Sequence, residues 1–187
     1  MKKKALIIYH SRFGQTQKIV SKMQAALSAS CDIQLVNIDQ LTMSDMQSLL
    51  TDTLDFLIIG APIYYGHHAK RITQFIQTNH LQLQNIPCAF FSVNLTARKP
   101  DKATPENNPY LIRFLQKTKF NPTLTAVFAG KLQYPSYNFL DKFMIQLIMR
   151  MTHGVTDTNQ IVEYTNWKAV ASFCEMITTQ IIEKKND

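Results

Sequence analysis

A doubly wound α/β fold is the architecture this sequence predicts: a five-stranded parallel sheet in the order 2-1-3-4-5, with helices on both faces and a helical insertion before the last helix. Three observations predict it. Apolar runs of strand length recur five times and alternate with segments of helical period. Most of those runs are nearly continuous, as strands buried on both faces require. Right-handed crossovers leave few topologies, and five strands with about five helices fit this order.

"KALIIYH" (4–10) reads as the first buried strand. Residues 15–30 carry apolar side chains at Ile19, Val20, Met23, Ala26 and Leu27, a helical period. "DIQLVNI" (32–38) alternates as a strand does, and 44–51 predicts a short helix with Ser44 as N-cap. "LDFLIIGAPI" (54–63) is a second buried strand, followed by a helix over 68–80. "PCAFFSV" (87–93) is a third, followed by a helix over 105–118 that begins near Pro105. "LTAVFAG" (124–130) is the fifth strand in chain order, and 165–184 reads as an amphipathic helix N-capped by Thr165 or Asn166. Residues 131–160 are left over as the insertion. With no internal repeat, low-complexity tract or linker, 1–187 is expected to be one domain.

Composition narrows the function classes. Hydrophobic residues make up 45% and charged residues 18%, so disorder is not expected. Cys31, Cys88 and Cys174 lie far apart without metal-ligand spacing, so neither a disulfide framework nor a metal site is indicated and a reducing cytosol fits. The basic start Met1-Lys2-Lys3-Lys4 runs into "ALIIYH", too short for a signal peptide's apolar region, and no apolar run reaches the ~18 residues of a spanning helix. A net charge of +7 suits an anionic membrane surface or an anionic substrate. No nucleic-acid partner is expected, because no binding motif accompanies the charge.

In such sheets ligands bind beyond the carboxyl ends of the strands. There the sharpest motif is Ser11-x-x-Gly14-x-Thr16, between a buried strand and a helix. Hydroxyls at Ser11 and Thr16 can donate to phosphate oxygens, Gly14 admits close backbone approach, and the helix start favours an anion. A plain turn with Thr16 as helix N-cap is the alternative. The spacing is neither a Walker loop nor a dinucleotide turn.

"IIYHSRFGQT" resembles the FMN-phosphate signature of flavodoxins, departing from it at Phe13, Val20 and Ser21. "SVNLTARKPDKATPENNPY" (92–110), "YPSYNFLDKFMIQLIMRM" (134–151) and "GVTDT" (154–158) resemble a narrower family, the bacterial quinone-dependent protoporphyrinogen IX dehydrogenases of haem synthesis. The resemblance implies FMN, bound by Ser11, Arg12, Phe13, Gly14, Gln15 and Thr16, by Pro62, Ile63, Tyr64, Tyr65 and Gly66, and by Ser92, Val93, Asn94, Leu95, Thr96 and Ala97. It implies oxidation of protoporphyrinogen IX in three two-electron steps, with a membrane quinone as acceptor.

Tyr64 or Tyr65 is expected to stack on the flavin ring, the alternative being that both cover the sheet edge. His67 and His68 at a helix start read as solvated surface, and no catalytic acid or base is assigned. Ser92, Asn94 and Thr96 offer side-chain hydrogen bonds. Residues 92–99 contain no aromatic lid, which suits a ring that meets a large substrate. Between 92 and 119 stand six basic residues against Asp101 and Glu106. Arg98 and Lys99 are the expected propionate holders, against the alternative of a solvated positive face. The rival functions are an electron-carrier flavodoxin and an NAD(P)H:quinone reductase.

On a helix over 137–152, Asn138, Lys142, Gln146 and Arg150 form a polar stripe and apolar residues fill most of the rest, with Asp141 the exception. Gly154 is a plausible stop. Tyr134, Tyr137, Phe139, Phe143, Ile145 and Ile148 are expected to meet lipid or quinone, the alternative being an ordinary core helix. That places the protein at the cytoplasmic face of the inner membrane, peripherally bound to anionic lipid. A homo-oligomer is left open.

Overall fold

The computed structural model describes residues 2–51 and 53–183. In chain order the elements are β1 (Lys3–Tyr9), α1 (Gln15–Leu27), β2 (Cys31–Asn37), α2 (Met43–Ser48), β3 (Phe56–Tyr64), β4 (His67–His68), α3 (Lys70–Thr78), α4 (His80–Leu83), β5 (Cys88–Asn94), α5 (Pro109–Thr118), β6 (Leu124–Ala129), β7 (Lys131–Gln133), α6 (Phe139–Met151), β8 (Ile161–Glu163) and α7 (Trp167–Ile177). The main sheet runs β2-β1-β3-β5-β6, every neighbouring pair parallel. This is the order the sequence predicts.

Alternation along the strands divides the core in two. Leu6, Ile8, Leu57 and Ile59 face α2, α3, α4 and α5, meeting Met46, Phe75, Leu83 and Phe114. Ile7, Ile58 and Phe91 face α1 and α7, meeting Val20, Met23, Phe173 and Ile177. Gly60 lets two strands pack at this second layer. A Cβ there would stand 2.4 Å from Phe91 Cζ, so Gly60→Ala is expected to cost about 2 kcal/mol of overpacking. Urea unfolding checks this; an unchanged midpoint would mean that the ring turns aside.

Several boundaries differ from the sequence reading. Thr42, not Ser44, caps α2, because Thr42 and Asp45 close a reciprocal capping box. The helix predicted over 68–80 divides into β4, α3 and α4. The helix predicted from Pro105 starts at Pro109, where Asn108 accepts from the Leu111 N–H and proline occupies the first helical position. Asn166 caps α7, which gives way to a π-helical turn over Thr178–Ile182; Lys184, the predicted last helical residue, lies outside the described residues.

The 131–160 segment contributes β7 and α6, and β7 pairs antiparallel with β8. Beneath them lies a small third core of Leu132, Tyr134, Tyr137 and Met149, with Phe13, Leu95 and Ile145 packed on it. That core seats the insertion over the carboxyl ends of β1 and β5.

Candidate active site

Three loops meet at the carboxyl edge of the sheet. The first joins β1 to α1. Gly14 adopts φ +82°, and no side chain caps α1 from that position. A Cβ on Gly14 would touch nothing within 4 Å, so its left-handed backbone, not close packing, calls for glycine here. The Gln17 N–H donates to Ser11 Oγ at 3.2 Å, and the Arg12 N–H donates to Tyr64 Oη at 3.0 Å. Gln15 lines the pocket beside this loop while its side-chain amide donates to Thr165 Oγ1 at 2.8 Å. Beside this helix start, where Ser11 Oγ already accepts from the Gln17 N–H, is a pocket of about 100 Å³, walled by Ser11, Thr16, Pro62, Val93, Gly130 and Lys131. The remaining helix-start N–H groups and the Ser11 and Thr16 hydroxyls are donors of the kind a phosphate monoester takes, and Phe13, Ile63, Tyr64, Leu95, Tyr137 and Ile145 line much of the rest.

The second loop is a two-residue turn between β3 and β4, with Tyr65 at φ 49° and Gly66 at φ 79°. Tyr64 is locked edge-on against His10 and Phe13, with ring centroids 5.6 and 6.0 Å away, and burial pushes its phenol up to about 12. Tyr65 is exposed, and its hydroxyl donates to Asp141 Oδ1.

The third loop follows β5. Its polar side chains face the protein, contrary to the expectation for Ser92 and Asn94. Ser92 Oγ lies 2.9 Å from His68 Nε2 and accepts from Asn94 Nδ2 at 3.2 Å. Asn94 Oδ1 accepts from the Ala97 N–H at 3.0 Å. Ala97 is buried in the sheet core. This loop presents Asn94, Leu95 and Thr96 to a larger cavity between the loops, and Val93 to the smaller pocket. His68 is buried rather than solvated, and burial, helped by His67, pulls its imidazole down to about 3.

That larger cavity at the loops holds about 450 Å³. Arg12, Phe13, Ile63, Tyr64, Tyr65 and Gly66 form one side, with Tyr110 close to Gly66. The fourth wall is α6, through Asp141, Met144, Ile145, Ile148 and Met149. The aromatic-free third loop is thus roofed by an aliphatic helix, whose Ile145 and Ile148 the sequence assigns to lipid or quinone. Asp141, Met144, Met149 and Lys131 were missed. Asp141 carried a signal, as the single acid on an otherwise apolar face.

Two expectations need correction. Tyr134 and Tyr137 do not present rings to solvent: they are 0% and 8% exposed, Tyr134 donating to Val155 O and Tyr137 accepting from the Gln133 N–H. Arg98 has both ends of its guanidinium engaged, donating to Leu95 O at 2.9 Å and to Thr152 Oγ1 at 2.5 Å beyond the end of α6. Lys99 forms no ion pair among the described residues. Ile145 faces inward, while Phe139, Phe143 and Ile148 are 82%, 58% and 51% exposed.

Residues 6–159 match the model of a flavodoxin domain. The chain is 40% identical over 174 residues to the Escherichia coli (strain K12) protein named protoporphyrinogen IX dehydrogenase [quinone], a match covering 93% of this chain and 94% of that one. A Leishmania major protein of the same name is 39% identical over 170 residues, covering 91% of this chain and 72% of its own. Among solved structures, rubredoxin oxygen:oxidoreductase from Desulfovibrio gigas matches with a TM-score of 0.57 at 15% identity, over 100% of this chain and 38% of that one. That last likeness is one of fold.

Proposed function

The chain belongs to the flavodoxin-domain family and, within it, groups with the protoporphyrinogen IX dehydrogenases, and from that premise we propose that it oxidises protoporphyrinogen IX with a quinone as acceptor, using FMN. The observation that carries this reading is the roofed cavity. An electron-carrier protein needs a flavin edge for a partner; here α6 adds an aliphatic wall suited to lipophilic, planar substrates.

The donor set at the first loop fits the FMN phosphate. Ser11, Thr16 and the start of α1 would hold it, with Lys131 beside them; Tyr65, Gly66, Asn94 and Thr96 border the ring site. When bound, FMN supplies the two-electron chemistry. The chain's own residues bind, orient and shield. Lys99 is the candidate for a substrate propionate, since Arg98 is engaged elsewhere. His68 lines neither pocket, and burial lowers its pKa to about 3, so it is given no general-acid role.

No helix among the described residues is long and apolar enough to cross a membrane. With 13 residues α6 spans about 20 Å, against the ~30 Å of a hydrocarbon core. We place its outer face on anionic lipid at the cytoplasmic side of the inner membrane, from which a lipid-soluble quinone reaches the cavity. The exposed apolar side chains and the net charge of +7 support this.

The test is anaerobic turnover by the FMN-loaded protein. Protoporphyrinogen with a menaquinone or ubiquinone analogue is expected to react, and NADPH with the same quinone to react at least ~10-fold more slowly, a gap of ~1.4 kcal/mol in barrier. Fast NADPH oxidation without porphyrinogen turnover would assign the chain to the quinone reductases instead.

A further inference from the structure

We infer that Asp141 is a positioning residue: its carboxylate pins α6 across the cavity and so sets the space left beside the cofactor loops for a large planar substrate. The geometry is independent of the function proposed above; only the choice of substrate rests on that reading.

Asp141 is 4% exposed and is one of only two buried residues on α6, the other being Met149. It occupies the third position of the helix, where an acid ordinarily turns back to cap the helix start. Asp45 does so in α2, accepting from the Thr42 N–H at 2.7 Å. Asp141 does not. Asn138 caps α6 by itself, accepting from the Asp141 N–H at 2.7 Å, and the Asp141 carboxylate is left to reach outward. One oxygen accepts from Arg12 Nη2 at 3.2 Å and the other from the Tyr65 hydroxyl. These partners stand on the first and second cofactor loops. The Arg12 guanidinium lies 5.0 Å from the Phe13 ring centroid, and Tyr65 holds a left-handed backbone beside Gly66.

The far end of α6 is fastened differently. Arg98 holds Thr152, and Gly154 fits so closely that a Cβ would stand 2.4 Å from Met149 Cε. The helix is therefore packed in place at its end and held by charge at its start. Removing the charge frees the start of the roof while the third core keeps the end seated. Charge-assisted hydrogen bonds to a shielded carboxylate are the strong kind, so a neutral amide is a poor substitute.

The test uses the full-length, FMN-loaded protein and Asp141→Asn, Asp141→Glu and Tyr65→Phe. In Asp141→Asn, amide hydrogen exchange over 142–148 is expected to rise at least ~10-fold while the β1, β3 and β5 amides stay as in the wild type. KM for protoporphyrinogen is expected to shift several-fold with kcat within about twofold. Asp141→Glu restores part of the protection, and Tyr65→Phe, which keeps the Arg12 pair, gives a smaller rise. Unchanged exchange over 142–148, or a rise spread equally over the strands, overturns the proposal. Should Asp141→Asn fail to fold, wild-type exchange in both remaining variants overturns it. A wild type without porphyrinogen turnover sinks the substrate reading, while the exchange result still decides the role of Asp141.

Discussion

Acidification from pH 7 to pH 4 is expected to remove about 3 kcal/mol of stability through His68 alone, and His68→Phe to abolish that share. His68 is 8% exposed, its ring centroid 4.3 Å from that of Phe114 and 5.7 Å from that of Phe90. Burial, and secondarily His67, lowers its pKa from 6.5 to about 3. Above 6.5 both folded and unfolded chains hold it neutral, and the full stability is present. Below 6.5 the unfolded chain binds a proton that the folded chain refuses. Stability then falls by up to ~1.4 kcal/mol per pH unit until the folded group also titrates near 3. Phenylalanine keeps the aromatic packing, and Ser92 Oγ still accepts from Asn94. Urea unfolding of both proteins at pH 7, 5.5 and 4 checks this. Asp45 and Glu163, whose partners lower their pKa values, lose stabilisation as the pH falls below their ordinary values of 3.8 and 4.5, in both proteins alike. Parallel loss between pH 6.5 and 4 would show that His68 accepts its proton in the fold.

The sheet was legible because its signal is local and redundant. Runs such as "ALIIY" and "FLIIGA" can be buried on both faces only in a covered parallel sheet, and crossover handedness then orders the strands. Short elements carried too little pattern. β7 and β8 have three residues each, and pairing 30 positions apart in sequence leaves no periodicity to read. The α2 cap was available in Thr42-x-x-Asp45, and Asn108-Pro109 outcompetes Pro105 because it supplies both a cap and a first-turn proline. At the site, the Ser11–Thr16 turn with its left-handed Gly14 was readable because a strand-turn-helix loop is a local motif. The roof was not. Asp141 meets residues 129 and 76 positions away, contacts that only the folded third core brings together. The same core explains the misplaced tyrosines, since Tyr134 and Tyr137 anchor the insertion rather than decorate it.

Replacing Phe139, Phe143 and Leu147 with serine is expected to weaken attachment to anionic vesicles about 100-fold with FMN still bound. The three lie at i, i+4 and i+8, one stripe along α6 that drifts only ~40° per step. They are 82%, 58% and 43% exposed, and none of them lines the cavity. Ile145 and Met149, which face the third core, are left intact. Partial burial of each side chain in the lipid interface contributes ~1 kcal/mol, about half of full burial, so three contribute ~3 kcal/mol. At 1.4 kcal/mol per tenfold this is about two decades of affinity. The charge contribution is separable, because salt screens it and leaves the apolar part. Co-sedimentation with phosphatidylglycerol-containing vesicles at low and moderate salt, alongside light scattering without lipid, gives the reading. A wild type that stays in solution with such vesicles at low salt refutes the lipid assignment. If that wild type is also a dimer which the triple substitution splits, a second copy of the chain, not a bilayer, covers the face.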